Sequence, residues 1–243
     1  MIRIYAITSL LLVNSLVTKA QYSELSAQLG SGLFSFRGNR VVQESFFNIV
    51  REASPANVGS ASYTNDRWSS RSSFSWGMSM QAQHVSKNNF IKGFQLAYES
   101  LATKTTIVGG SDFGSFIPFQ EGQSVFTYDY INLHPFVGQR FGNRQLSLDI
   151  TIGLDAAMGL YNWEKGKGTT TANELYLTYH KYSIPGLDVR PRMDAIGYYG
   201  RVGLSISYAH GLTSYSNSLV GVSVATITSQ LWRIGVIYRS GKK

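Results

Sequence analysis

Even-numbered positions from 146 to 160 hold Leu146, Leu148, Ile150, Ile152, Leu154, Ala156, Met158 and Leu160. The odd ones hold Gln145, Ser147, Asp149, Thr151, Gly153, Asp155, Ala157 and Gly159. A period of two sends successive side chains to opposite faces, so this stretch predicts a strand whose faces meet different environments. Its length discriminates, because soluble strands run about 5–6 residues and a tilted bilayer-crossing strand needs about 9–11. The alternation recurs at 71–85, with Phe74, Trp76, Met78, Met80 and Ala82 on one face, and at 201–212, with Val202, Leu204, Ile206 and Tyr208. It recurs again at 224–239, with Trp232, Ile234, Val236 and Tyr238, and in weaker form at 24–37, 90–101 and 124–140. Residues 188–197 supply an eighth segment with Pro191 in its middle.

The connectors carry independent information. Residues 38–70, 102–123, 161–187 and 213–223 are long, residues 86–89, 141–144 and 198–200 are short, and the two kinds alternate. Asn and Gly in the short ones suit hairpin turns. Long and short connectors on opposite sides, with an even strand count, predict an all-β fold. The expected form is a closed antiparallel up-and-down transmembrane β-barrel of eight strands, ten being the alternative. Closure follows from backbone physics, since in hydrocarbon every N–H and C=O needs a partner within the protein. A soluble barrel is the competing architecture, and it would place the apolar face inward. The polar face here is rich in Gly, Ser, Thr and Gln and poor in Lys and Glu, which favours a crowded polar lumen.

Composition changes the picture in three ways. The chain of 243 residues has no cysteine, which excludes a disulfide scaffold and a zinc-thiolate module. Arg3, the apolar run Ile4–Val17 and the small residues Thr18 and Ala20 predict a signal peptide over 1–20, leaving 21–243 as the barrel domain. The formal net charge of +8 suits phosphates at a membrane surface, while neither an aromatic-basic RNA motif nor a helix-turn-helix pattern supports nucleic acid. An exported barrel of this kind is expected in the outer membrane of a Gram-negative envelope.

At this point the chain resembles a known family. Tyr130-Ile131-Asn132-Leu133-His134-Pro135-Phe136-Val137-Gly138-Gln139-Arg140-Phe141 is similar to a strand ending in a tight turn of the PorT-like small outer-membrane β-barrels, which share the OmpA/OmpX-type architecture. Tyr208-Ala209-His210-Gly211-Leu212-Thr213 and the Ala20-Gln21 junction fit the same family. The resemblance implies an envelope component, in some members one that assists secretion, and brings no catalytic residues.

By the alternation, Glu99, Asp149, Asp155, Arg140, Arg201, Arg233 and Arg239 point inward, with His134 among them, and in an eight-stranded barrel they are expected to pair as an ionic plug. Of the histidines, His84 and His134 are placed near short turns and His180 in a long connector. His210 is placed at the far rim, near Asp188 or Asp194. Without an HExxH pair or a Gly-x-Ser-x-Gly elbow, no catalytic site, metal or cofactor is expected and the chain reads as no enzyme. Gly166-Lys167-Gly168-Thr169 lacks the first glycine and the Lys-Ser/Thr pair of a phosphate loop.

Two long connectors carry apolar clusters, Phe46, Phe47 and Ile49 in the first and Phe113, Phe116, Ile117 and Phe119 in the second. Such clusters in exposed loops mark contact surfaces, so either the two loops fold over the mouth and pack on each other or they form a partner-binding cap for an envelope protein. Lys165, Lys167 and Lys181 in the third connector suit lipopolysaccharide phosphates. The functional expectation is a structural, assembly or partner-binding component of the outer membrane, with a small channel or a lipid-active enzyme as alternatives.

Overall fold

The computed structural model describes residues 20–50, 62–143, 145–183, 186–215 and 226–241; the expected signal segment, up to residue 19, lies outside them. The described residues form an all-β fold of eleven strands: β1 (Ala20–Gly38), β2 (Glu44–Asn48), β3 (Tyr63–Thr64), β4 (Ser73–Ser86), β5 (Phe90–Asp112) and β6 (Ser115–Gly142), followed by β7 (Leu146–Thr170), β8 (Leu175–Lys181), β9 (Leu187–Tyr199), β10 (Val202–His210) and β11 (Ile227–Gly241).

Eight of these form a ring in the order β1, β4, β5, β6, β7, β9, β10, β11, each antiparallel to both neighbours, with β11 returning to pair with β1. The eight correspond to the eight alternating segments. Pro191 does not interrupt β9, where it stands opposite Leu154.

The faces are sorted as the alternation predicts. Outward side chains form an apolar belt that includes Leu29 (67% exposed), Phe74 (72%), Met80 (70%) and Leu204 (66%). The inward side chains of the same strands include Glu24, Gln95, Glu99, Arg140, Asp149, Asp155, Arg192 and Asp194, all buried. Aromatic residues frame the belt. Trp76 packs on Tyr98 and Tyr208 on Trp232 toward one end, with ring centroids 5.6 and 4.7 Å apart, and Phe90, Phe141, Tyr199 and Tyr238 stand near the short turns. The short turns place Asn89, Gly142 and Gly200 at φ of 61°, 95° and 60°, the left-handed region that Gly and Asn tolerate best.

Three of the long connectors require correction. Residues 102–112 and 115–123 continue β5 and β6 as a hairpin beyond the ring, and 161–170 continue β7, to which β8 adds a further strand. On the other side β2 pairs parallel with β5 and β3 with β2. The alternation continues through these extensions with its polarity reversed. On β5, Phe94, Leu96 and Tyr98 point out, whereas farther along Leu101 and Ile107 are buried inside while Lys104 and Thr106 point out. The same reversal falls at Leu33/Phe34 on β1 and at Leu231/Trp232 on β11, residues that stand opposite one another. A search for apolar outward positions therefore stops where the strands do not.

Candidate functional site

The inside of the ring is filled by cross-braces. Arg140 on β6 gives two parallel hydrogen bonds to Asp149 on neighbouring β7, each 2.6 Å. It also reaches over the ring to Glu24 on β1, with Nη2 to Oε2 at 2.7 Å and Nη1 to Oε1 at 3.0 Å. Arg239 stacks 4.0 Å above the Tyr198 ring beside them. Farther in, Arg233 on β11 donates to Glu99 on β5 (2.5 Å) and to Asp155 on β7 (2.8 Å). Arg192 binds Asp194 and lies 3.3 Å from Asp155. His134 stands between two carboxylates, Nδ1 3.1 Å from Asp155 and Nε2 3.3 Å from Asp194. Six buried carboxylates (Glu24, Glu99, Asp149, Asp155, Asp188 and Asp194) thus face five guanidiniums and one imidazole. Pairing of this kind offsets the desolvation that would forbid any one of these charges alone.

Room for these side chains comes from the facing wall, where Gly77, Gly30 and Gly235 stand side by side on β4, β1 and β11. A Cβ at Gly30 would meet the Ile234 carbonyl oxygen at 2.9 Å. A void of about 40 Å³ remains between this wall and Gln95, Glu99, Arg192 and Arg233. Its size suits a water molecule, for which Gln95, Glu99, Arg192 and Arg233 offer polar partners.

Both ends of the polar interior are stoppered. Toward the short turns Val85, Ile91 and Phe136 form one apolar cluster and Ile196, Tyr198 and Ile237 another. At the far end Phe34, Phe36, Trp68, Tyr128, Tyr130 and Leu231 pack with Tyr215, largely edge to face. Tyr215 donates to Asp188 (2.6 Å), which also accepts from Ser229 and Arg190. Burial pushes the Tyr215 hydroxyl well above its usual range.

Sequence placement needs correction at three residues. Arg201 lies in the β9–β10 turn, exposed, with its guanidinium 3.5 Å from the Tyr238 hydroxyl rather than among the inward charges, because the chain reverses there before the alternation of β10 begins. His134 sits deep inside rather than at a rim. His210 meets neither Asp188 nor Asp194, both of which are held by other donors. Glu24, Arg190 and Arg192 were not named from the sequence, and Asp188 and Asp194 were named only as neighbours of His210, not as members of the inward network. A signal existed for four of them, since Asp188, Arg190, Arg192 and Asp194 share one parity around Pro191.

Beyond the ring, the extensions have their own core of Phe47, Ile49 and Ile107 packed with Ile117, Phe119 and Tyr176. The two apolar clusters read from the connectors meet here: Phe47 lies 5.7 Å from Phe119 and Phe46 lies 6.5 Å from Phe116. Phe47 and Ile49 are buried, so they are not free contact surface, whereas Phe116 is exposed and Phe113, at φ 46°, is 91% exposed on the hairpin tip. The glycines of Gly166-Lys167-Gly168-Thr169 lie in a strand and make room for aromatic rings; a Cβ at Gly166 would meet the Phe47 ring at 2.8 Å.

Glu164 closes this upper unit. Its buried carboxylate accepts from Thr64 on β3, Ser124 on β6, Thr178 on β8 and Tyr182. Burial, reinforced by that carboxylate, holds the Tyr182 hydroxyl well above its ordinary value. Among the described residues no group of three or more His, Cys, Asp or Glu side chains is placed to hold a metal ion.

No family model matches the chain, and no curated protein matches it. Among solved structures, it is similar in outline to Ail, the attachment invasion locus protein of Yersinia pestis, solved with the heparin analogue sucrose octasulfate. That match has 12% identity and a TM-score of 0.36, and covers 90% of this chain and 100% of that one. Neisserial surface protein A matches at 9% identity and a TM-score of 0.35, covering 89% and 96%. The outer membrane protease OmpT of Escherichia coli matches at 9% identity and a TM-score of 0.36, covering 91% and 98%. The expectation that the chain is no enzyme is corrected by the last of these, a protease among the chains of similar outline; at 9% identity it assigns no catalytic residue here.

Proposed function

We propose that the chain is an outer-membrane barrel whose ring spans the bilayer and whose extensions form a rigid extracellular platform for partner contact. The observation that carries this reading is the reversal of polarity along continuous strands. Within the belt, apolar side chains point out and twelve ionisable ones point in; past Leu33, Tyr98 and Trp232, Phe34, Phe36, Leu101, Ile107 and Leu231 turn inward and Lys104 outward, while Val108 on β5 and Leu175, Leu177 and Tyr179 on β8 stay exposed. One solvent cannot produce both halves of that pattern. Hydrocarbon around the ring and water around the extensions produce both. Eight residue steps of β5 separate Phe90 from Tyr98, about 26 Å along a strand before tilt, which suits a tilted strand crossing the apolar band between two aromatic girdles.

The cross-braces and the apolar stoppers weigh against a standing channel, since an eight-stranded ring is just wide enough for its side chains to fill. The rigid upper unit weighs toward contact, and the PorT-like resemblance of Tyr130–Phe141 points toward envelope assembly or secretion. The test is mobility of the membrane fraction in SDS, unboiled against boiled. A heat-dependent shift is expected; a protein free in the periplasmic fraction with no shift would overturn the reading.

A further inference from the structure

Resting on that membrane placement, we infer that the outward face of β5–β8 just above the aromatic girdle binds the phosphate groups of an anionic glycolipid in the outer leaflet. The register assembles the face from residues far apart in sequence. Lys104, Val125, Lys165 and Tyr179 stand side by side on β5, β6, β7 and β8, and in the row nearer the belt Trp163 stands opposite Lys181. The Lys165 ammonium lies 4.6 Å over the Trp163 ring, and that of Lys181 5.5 Å over Tyr161. These contacts hold the flexible stems along the aromatic rings and leave the ammonium hydrogens free to donate. Among the described residues, no ion pair engages Lys165, Lys167 or Lys181. The carboxylates of the neighbourhood are Asp129 opposite Tyr161, at the belt edge, Glu121 opposite Thr169, farther out, and Glu44 beside Thr106 on β2.

Position selects the ligand. The face is open rather than hollow, so it does not enclose a free ion. It continues directly from the belt, where Ile131 and Met158 are exposed in register below it. Lys165 is four residues beyond Tyr161, about 13 Å along the strand. A lipid whose acyl chains lie on the belt therefore brings its headgroup phosphates to the lysines, and ammonium–phosphate contacts are the charge-assisted kind. Lys87, in the β4–β5 turn, and Lys92, near the start of β5, lie at the short-turn end and belong to the opposite surface.

The experiment titrates bisphosphorylated lipid A in neutral detergent into the full folded chain and follows tryptophan emission. The combined K165Q/K167Q/K181Q variant is expected to bind about tenfold or more weakly, K165R/K167R/K181R to keep binding, and K87Q/K92Q to match the parent. Equal binding by the glutamine variant and the parent would overturn the site. Displacement of lipid A by millimolar inorganic phosphate would overturn the lipid assignment in favour of a free-phosphate site. Every variant is also run unboiled and boiled in SDS. Loss of the heat shift in the parent would indict the membrane placement itself, whereas a retained shift with unchanged affinity would indict only this face.

Discussion

Arg140 and Glu24 meet over the inside of the ring at 2.7 Å although two strands, β4 and β5, separate their own strands along the wall. The contact ties opposite sides of the ring rather than neighbours. Replacing Arg140 with Ala would leave Asp149 buried without its cation and Glu24 with only Arg239, 3.7 Å away, and a loss of about 3–5 kcal/mol is expected. Urea unfolding in detergent should show the midpoint fall. Adding Glu24→Gln and Asp149→Asn should restore part of it, and a triple variant no better than Arg140→Ala would contradict the account.

A plugged interior predicts electrical silence. Reconstituted into planar bilayers, the chain is expected to give no steady steps of porin size. Steady conductance would show that the Arg233 bridges to Glu99 and Asp155 do not persist in the membrane.

Glu164 is expected to matter to the upper unit and not to the ring. Glu164→Ala orphans hydroxyl and backbone donors from three strands, at about 1–3 kcal/mol for a buried group left unpaired. Limited proteolysis should then cut between residues 102 and 123 while the SDS heat shift survives. Joint loss of both would show that the two units fold as one.

Alkali supplies a second probe of the same contact. Because the Tyr182 hydroxyl is raised in the folded state, the protonated form is favoured by folding. Its contribution is complete below the ordinary tyrosine value of about 10 and declines as pH rises above it. The upper unit should loosen above that pH, by the same proteolysis readout, and Tyr182→Phe should remove that dependence. Loosening between pH 6 and 9 would point to another group.

Phe113 holds a positive φ that favours glycine and buries almost nothing. Phe113→Gly is expected to stabilise the hairpin by about 1 kcal/mol, read by hydrogen exchange of the β5–β6 extension. A destabilised hairpin would mean that the ring has contacts of its own to lose.

The ring was legible in the sequence because outward-facing residues such as Leu148, Ile150 and Ile152 alternate with residues as different as Asp149 and Thr151. The extensions were not, because beyond the belt the apolar parity changes sides, and Ile107 or Phe119 then read as loop residues. Inward charges were found where a strand had been phased by its apolar face. Glu24 sits among small polar residues at the start of β1, and Arg190 and Arg192 flank Pro191, where the apolar phase is weakest. Arg201 failed for the opposite reason, since parity was extended through a turn that breaks it.

The seam between β1 and β11 also sets a timetable. Glu24 waits for Gly241 and Gly38 for Ile227, so the first strand made is among the last to be satisfied, and its early edge is a row of open N–H and C=O groups. A chain stopped before Ile227 would lack β11 alone, yet the loss reaches two of the remaining strands. It would leave β1 and β10 unpaired at once, two raw edges that hydrocarbon does not accept. Closure of this ring therefore doubles as a check that β11 has been made and paired.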